Sequence, residues 1–203
     1  MALRAFFAVE LPETIRDEVA ALQATLRAIG ADVRWVEQAN LHLTLKFLGD
    51  VEETSLPPLT TALANALAAH APFPLHLDGI GAFPSATHPR VLWVGVGLGQ
   101  EALAALAQTV EQVCIAQGLP AAEPPFSAHL TLGRVRAPGR PSARVRGLAP
   151  PIHHLHTFEF HNPTPVPVER VTLFRSRLSP HGPAYTPLAI LPLTPQLDRV
   201  PQK

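Results

Sequence analysis

The stretch NLHLTLKFLG, residues 40–49, carries a tetrapeptide, His-Leu-Thr-Leu, that returns at residues 129–132 inside AHLTLGR. On a β-strand successive side chains point to opposite faces. His42, Thr44 and Lys46 therefore share one face of the first copy, with Leu43, Leu45 and Phe47 on the other. In the second copy His129 and Thr131 oppose Leu130 and Leu132. The leucine faces belong against a core and the His/Thr faces on a surface or cleft. One such copy is ordinary patterning for a half-buried strand. Two copies of the whole tetrapeptide in a chain of 203 residues, each inside a strand-like run, are far harder to put down to ordinary patterning.

Around these strands the apolar spacing alternates between helix and strand. Arg4 to Glu10 reads as a first strand, and Pro12 stands where a helix can begin. Leu11 to Ile29 then carries a stripe of Ile15, Val19, Leu22 and Leu26, stopped by Gly30. Trp35 and Val36 read as core or strand-end packing just before the motif. A second helix is predicted over Glu52 to His70, with Leu56, Leu59, Leu63 and Leu67 buried. Strands over Phe73 to Ile80 and Arg90 to Val96 follow, joined by a Gly81 to Pro89 loop, and a third helix runs from Gln100 to Gln117. After the second motif, Val135 to Pro151 mixes Arg136, Arg140, Arg144 and Arg146 with Pro, Gly, Ser and Ala, which predicts an exposed loop. That loop is either a basic flap over a polyanionic ligand or a solvated linker. Thr157 to Phe160, Arg170 to Leu178 and Ala184 to Leu193 close the pattern, and residues 195–203 read as a frayed tail.

The composition bounds the rest. With 47% hydrophobic and 16% charged residues the chain is globular, long enough for one sizeable domain or two intimately packed lobes. Zero formal net charge gives no global pull toward nucleic acid, so any such contact must come from a local patch. The single Cys114 excludes an internal disulfide and fits a reducing compartment. Neither a membrane-length apolar run nor a signal-peptide pattern is visible, so a cytoplasmic protein without a membrane partner is expected. No Gly-rich phosphate loop or dinucleotide fingerprint is present. The 23 prolines gather after Pro120 and predict rigid loops there. His153, His154 and His156, with His161 nearby, form the one histidine cluster. Without matching Cys or HExxH context it predicts no metal site.

RAFFAVELPETIRDEV, RWVEQANLHLTLKFLGDV, FPSATHPRVLWVGV, PFSAHLTLGR and VTLFRSRLSPHGPAYTPL stand in the order of landmarks in a known family. On these stretches the chain resembles the two-histidine (2H) phosphoesterases, and within them the LigT-like RNA 2',3'-cyclic phosphodiesterases, also called RNA 2',5'-ligases. The resemblance implies an α+β fold of two pseudo-symmetric lobes, each an antiparallel sheet with helices on its outer face, flanking a central cleft. One bilobal domain over residues 1–194 is expected, acting as a monomer on RNA with 2',3'-cyclic phosphate ends, transfer-RNA fragments among them. Two alternatives stay open: a 2',5' ligase working mainly in the joining direction, and an RNA-end binding module with incidental hydrolysis.

Opening a cyclic phosphate requires a base for the attacking water and an acid for the leaving ribose oxygen. Two imidazoles with ordinary pKa near 6.5 suit both tasks without metal or cofactor. Thr44 and Thr131 hydroxyls can donate to a non-bridging phosphate oxygen. The resemblance assigns His42 as general acid at O3' and His129 as general base. It also makes Arg134 a phosphate clamp, for which a guanidinium fork is the right shape. Strict alternation puts Arg134 on the leucine face, so the strand must end or bulge near Gly133. Lys46 shares the parity of His42 and reads as a cleft-rim charge, while Phe83 and Tyr185 are candidate base-stacking rings. Ala128 and Gly133 depart from the family's usual proline and larger residue, which bears on how Arg134 is held.

Overall fold

The structure is a computed structural model and describes residues 1–28, 33–136, 160–179 and 182–194. Most of the arginine-rich loop, His153, His154, His156 and the tail 195–203 lie outside the described residues.

With two short 3-10 turns between them, the described residues form ten strands and three α-helices. They are β1 (Ala2–Glu10), α1 (Glu13–Ala28), β2 (Val33–Trp35), β3 (His42–Glu52), α2 (Leu56–Leu67), β4 (Phe73–Leu75), β5 (Leu77–Phe83), β6 (Val91–Val96), α3 (Gln100–Ala116), β7 (His129–Val135), β8 (Val166–Val168), β9 (Arg170–Ser179) and β10 (Gly182–Pro192). The expected strand over 73–80 is two strands. β4 leaves to pair with β8 in a small separate sheet, and β5 pairs with β6. Trp35 belongs to a short strand that pairs with β7.

The main sheet is antiparallel, in the order β10-β9-β1-β3-β7-β6-β5, with β2 beside β3 on the same edge of β7. Its halves meet where β3 and β7 pair through one residue couple, Leu43 opposite Leu130. This seam separates two lobes, each carrying one His-x-Thr strand. Ile15, Val19, Gln23 and Leu26 make the buried stripe of α1, so a glutamine takes the place expected for Leu22. That helix covers the β7 half, where Arg27 lies over the Trp35 ring at 5.4 Å. α3 covers the β3 half, and α2 packs on α3 and β10. Leucines from both halves and all three helices form one core. The opposite face of the sheet, bearing the histidines, carries no helix among the described residues.

One expectation for the first motif fails. Phe7 pairs with Lys46 but Ala8 with Thr44, so Leu45 is an extra residue in β3. Such a bulge rotates everything after it by one face. Lys46 turns inward to 4% exposure and Phe47 outward to 67%. Lys46 is therefore no cleft-rim charge. Its Nζ donates to Glu111 Oε2 of α3 at 2.6 Å and to Pro120 O at 3.0 Å. Glu111 also accepts the Ala122 N–H at 2.7 Å, so the pair ties β3, α3 and the following turn together. Despite its partial burial, the Lys46 ammonium beside it holds the Glu111 carboxyl below its usual range.

Candidate active site

Both histidines are held in the same way. His42 Nδ1 lies 2.7 Å from Asn40 O, and His129 Nδ1 lies 2.8 Å from Ser127 O. A carbonyl can only accept, so Nδ1 carries the proton in each ring and Nε2 is left to give or take one. Continuing the Leu43–Leu130 register puts His42 beside Thr131 and Thr44 beside His129. The tetrapeptides thus form one two-fold arrangement of acid/base groups and hydroxyls. The His42 imidazole is pushed below its ordinary pKa. Burial is the main cause, the Asn40 carbonyl opposes it, and the nearby charge of His129 adds to it.

Each histidine has its own aromatic setting. His42 meets Phe6 at 4.9 Å and the edge of Tyr185 at 5.3 Å, with Phe174 behind at 6.5 Å. His129 meets the edge of Phe83 at 5.0 Å, and Phe83 meets Trp93 at 5.2 Å. The Trp93 indole lies so close over Gly81 that a Cβ there would come within 2.2 Å of the ring. Only glycine admits that approach. Trp93, Phe126, Ser127 and Ala128 help line a cavity of about 470 Å³ next to His129. The buried Trp93 Nε1 has no hydrogen-bond partner among the described residues.

The second motif bulges as the position of Arg134 requires. Trp93 pairs with Thr131 but Leu92 with Gly133, so Leu132 is the extra residue. Gly133 turns inward and Arg134 turns onto the histidine face. The Leu132 carbonyl accepts from Val36 N–H at 2.9 Å and from the buried Gln23 Nε2 at 2.9 Å, which pins the bulge to α1. At Gly133 a Cβ would lie 2.5 Å from Val33 Cγ1 and 2.9 Å from Arg34 O, so the missing larger side chain is the space β2 occupies. The bulges are equivalent, and Phe47 takes the place in β3 that Arg134 takes in β7.

The β9–β10 hairpin closes this corner. Asn40, whose carbonyl holds His42, also donates from Nδ2 to Pro183 O at 2.9 Å. Burial raises the Tyr185 phenol above its usual pKa, while the charges of Arg134 and Arg4 pull it down. Both guanidiniums therefore lie within electrostatic reach of the ring.

His42, Thr44, His129, Thr131, Arg134, Phe83 and Tyr185 thus gather on one face, and Lys46 does not. Sequence reading missed Phe6, Phe174, Trp93, Arg34 and the bulge-pinning Gln23. Only Gln23 left a trace, as a polar residue interrupting the apolar stripe of a helix. Among the described residues no group of three or more His, Cys, Asp or Glu could hold a metal ion. His161 instead stacks on His76 and lies 3.6 Å from Asp78. No described helix is long and apolar enough to cross a membrane.

Comparison with known proteins agrees with this fold. The family model "LigT like Phosphoesterase" matches residues 9–93 and 96–185. The RNA 2',3'-cyclic phosphodiesterase of Methanothermobacter thermautotrophicus is 36% identical over 193 residues, covering 95% of this chain and 100% of that protein. The Thermus thermophilus protein of the same name is 37% identical, over 92% of this chain and 88% of its own. Among solved structures, TT0787 of Thermus thermophilus aligns with a TM-score of 0.75 at 33% identity, covering 95% of this chain and 99% of that one. E. coli LigT complexed with 3'-AMP aligns at 0.73 with 28% identity, covering 96% and 99%. The chain belongs to the LigT-like phosphoesterase family.

Proposed function

We propose that this protein hydrolyses RNA 2',3'-cyclic phosphate ends to 2'-phosphomonoesters by general acid/base catalysis from His42 and His129. The observation that carries the reading is the pair of carbonyl-anchored imidazoles with free Nε2 atoms on one face of the seam. Relatives named RNA 2',3'-cyclic phosphodiesterase support the substrate. Water attacks phosphorus as His129 Nε2 takes its proton. The P–O3' bond breaks as His42 Nε2–H gives its proton to O3', and the phosphate stays on O2'. Thr44 and Thr131 donate to the non-bridging oxygens, and Arg134 offsets the charge that builds there. The environment that lowers the His42 pKa makes its protonated form a stronger acid, and the anionic substrate restores the proton that the empty site disfavours.

Both motifs come from one chain, which fits a monomer and one catalytic domain over residues 1–194. The lone buried Cys114 fits the cytoplasm, and transfer-RNA fragments are among the RNAs that carry such ends. The test is turnover of a short RNA ending in a 2',3'-cyclic phosphate, in EDTA, by wild type, His42→Ala and His129→Ala. Formation of a 2'-phosphate, with about a hundredfold loss or more in each variant, is expected. A 3'-phosphate product, or a variant as active as wild type, refutes the reading.

A further inference from the structure

Arg34 and Arg134 are direct cross-strand partners in the β2–β7 ladder, which puts both side chains on the histidine face. Like charges directly opposite each other destabilise a sheet. No carboxylate among the described residues forms an ion pair with Arg34 or Arg134. The Arg34 guanidinium reaches across to the hairpin and lies 3.7 Å from where a Cβ on Gly182 would sit. It therefore borders the same corner as Tyr185, Asn40 and His42.

The charge count is informative. A cyclic phosphate is a diester with a single negative charge, which Arg134 and the protonated His42 of the proposed mechanism already answer. A second uncompensated guanidinium beside Arg134 calls for a second anion. On the proposed chemistry the nucleoside stands on the His42 side, since O3' leaves toward that residue. The next phosphate along an RNA chain is the one on the 5' oxygen of that nucleoside.

Resting on the function proposed above, we infer that Arg34, next to Arg134 and Tyr185, binds the 5'-phosphate group of the terminal nucleotide. The protein then selects cyclic ends that belong to a chain over free nucleoside 2',3'-cyclic phosphates. A guanidinium fork suits the phosphate better than an ammonium. The basis of selection is local, which reconciles RNA recognition with a chain of zero net charge.

The test compares adenosine 2',3'-cyclic phosphate with its 5'-phosphorylated form, as a ratio of kcat/KM, in wild type, Arg34→Ala and Arg34→Lys. Affinities for adenosine 2'-phosphate and adenosine 2',5'-bisphosphate are measured alongside. Wild type should favour the 5'-phosphorylated member of each pair by about tenfold to a hundredfold, the range for a hydrogen bond to a charged group. Arg34→Ala should bring both ratios toward one, and Arg34→Lys should keep part of the preference. A wild type without preference, or unchanged ratios in Arg34→Ala, overturns the inference. If neither cyclic substrate turns over while the bisphosphate preference exists and depends on Arg34, the hydrolytic reading fails and the anion site stands.

Discussion

Gly133→Ala tests whether the second bulge sets catalytic geometry. The backbone at Gly133 is not in the left-handed region, so alanine is conformationally allowed and any effect must be steric. Its Cβ would sit 2.5 Å from Val33 Cγ1, 2.9 Å from Arg34 O and 3.1 Å from Trp35 Cα. Ordinary contact starts at 3.4 Å, so relief of about 0.9, 0.5 and 0.3 Å is needed at the three atoms. Two of them are backbone, which cannot rotate aside. The β2 strand must move off β7, at the residue before Arg134. Overpacking of this kind costs ~1–3 kcal/mol. The stiffer unfolded chain returns ~0.4–1 kcal/mol of that. With two contacts below 3.0 Å the overpacking cost lies in the upper part of its range, and a net loss of ~1–2.5 kcal/mol lowers Tm by ~2–10 °C in a protein of this size. The effect on chemistry should be larger, because a shift of about 1 Å at a positioned group can cost a hundredfold. Calorimetry and kcat/KM on a cyclic-phosphate RNA read the two effects separately. A variant with unchanged Tm and kcat/KM within about twofold of wild type would show that β2 does not hold Arg134 in place.

Three further outcomes are expected. Glu111→Ala leaves the buried Lys46 ammonium with only the Pro120 carbonyl, and should cost ~3 kcal/mol, the low end for breaking a buried pair, because the Glu111 side chain keeps 23% exposure. The double variant Lys46→Met, Glu111→Leu should recover to within ~1 kcal/mol of wild type by urea unfolding; a double variant as unstable as the single one would contradict that account. The folded protein holds His42 below its ordinary pKa, so the unfolded chain binds more protons as pH falls through about 6.5. Stability should therefore drop from pH 7.5 to pH 5.5, and less steeply in His42→Gln; parallel slopes would mean that His42 is not the group responsible. A cyclic substrate with sulfur at the 3' position has a leaving group that needs no protonation. It should rescue His42→Ala and not His129→Ala, and the opposite pattern would exchange the roles of the two histidines.

The repeated tetrapeptide was enough to place both histidines and both threonines on one face, because each occupies one unbroken strand segment before its bulge. Beyond Leu45 and Leu132 simple alternation fails, with different consequences in the two copies. Arg134 was expected on the histidine face because the family resemblance named it and so required a bulge, and Gly133 offered a place for one; the pairing of β6 with β7 shows that bulge. Lys46 and Phe47 gave no such cue, and parity assigned both to the wrong face. Nothing local marks Leu45 as an extra residue; the shift is visible only in its pairing with β1. Phe6, Phe174, Trp93 and Arg34 escaped for a related reason. Each comes to the site through strand order, joining residues far apart in the chain, and single-sequence periodicity carries no information about strand order.

The matched bulges also decide which way a substrate lies. Two identically anchored imidazoles with two facing hydroxyls would, by themselves, accept a cyclic phosphate in either of two orientations related by a half-turn. Reversal would exchange the roles of the two histidines, His129 protonating O3' and His42 activating the water, while the phosphate would still stay on O2'. The half-turn would carry the position of Arg134 onto that of Phe47, a cation onto an exposed hydrocarbon ring. The four motif side chains are indifferent to direction, and polarity enters through what surrounds them: the different aromatic settings of the two histidines and the first residue pair beyond the bulges. On this view the division of labour between acid and base is a property of the sixth position in each motif, and Phe47 helps to set it although it carries no acid or base.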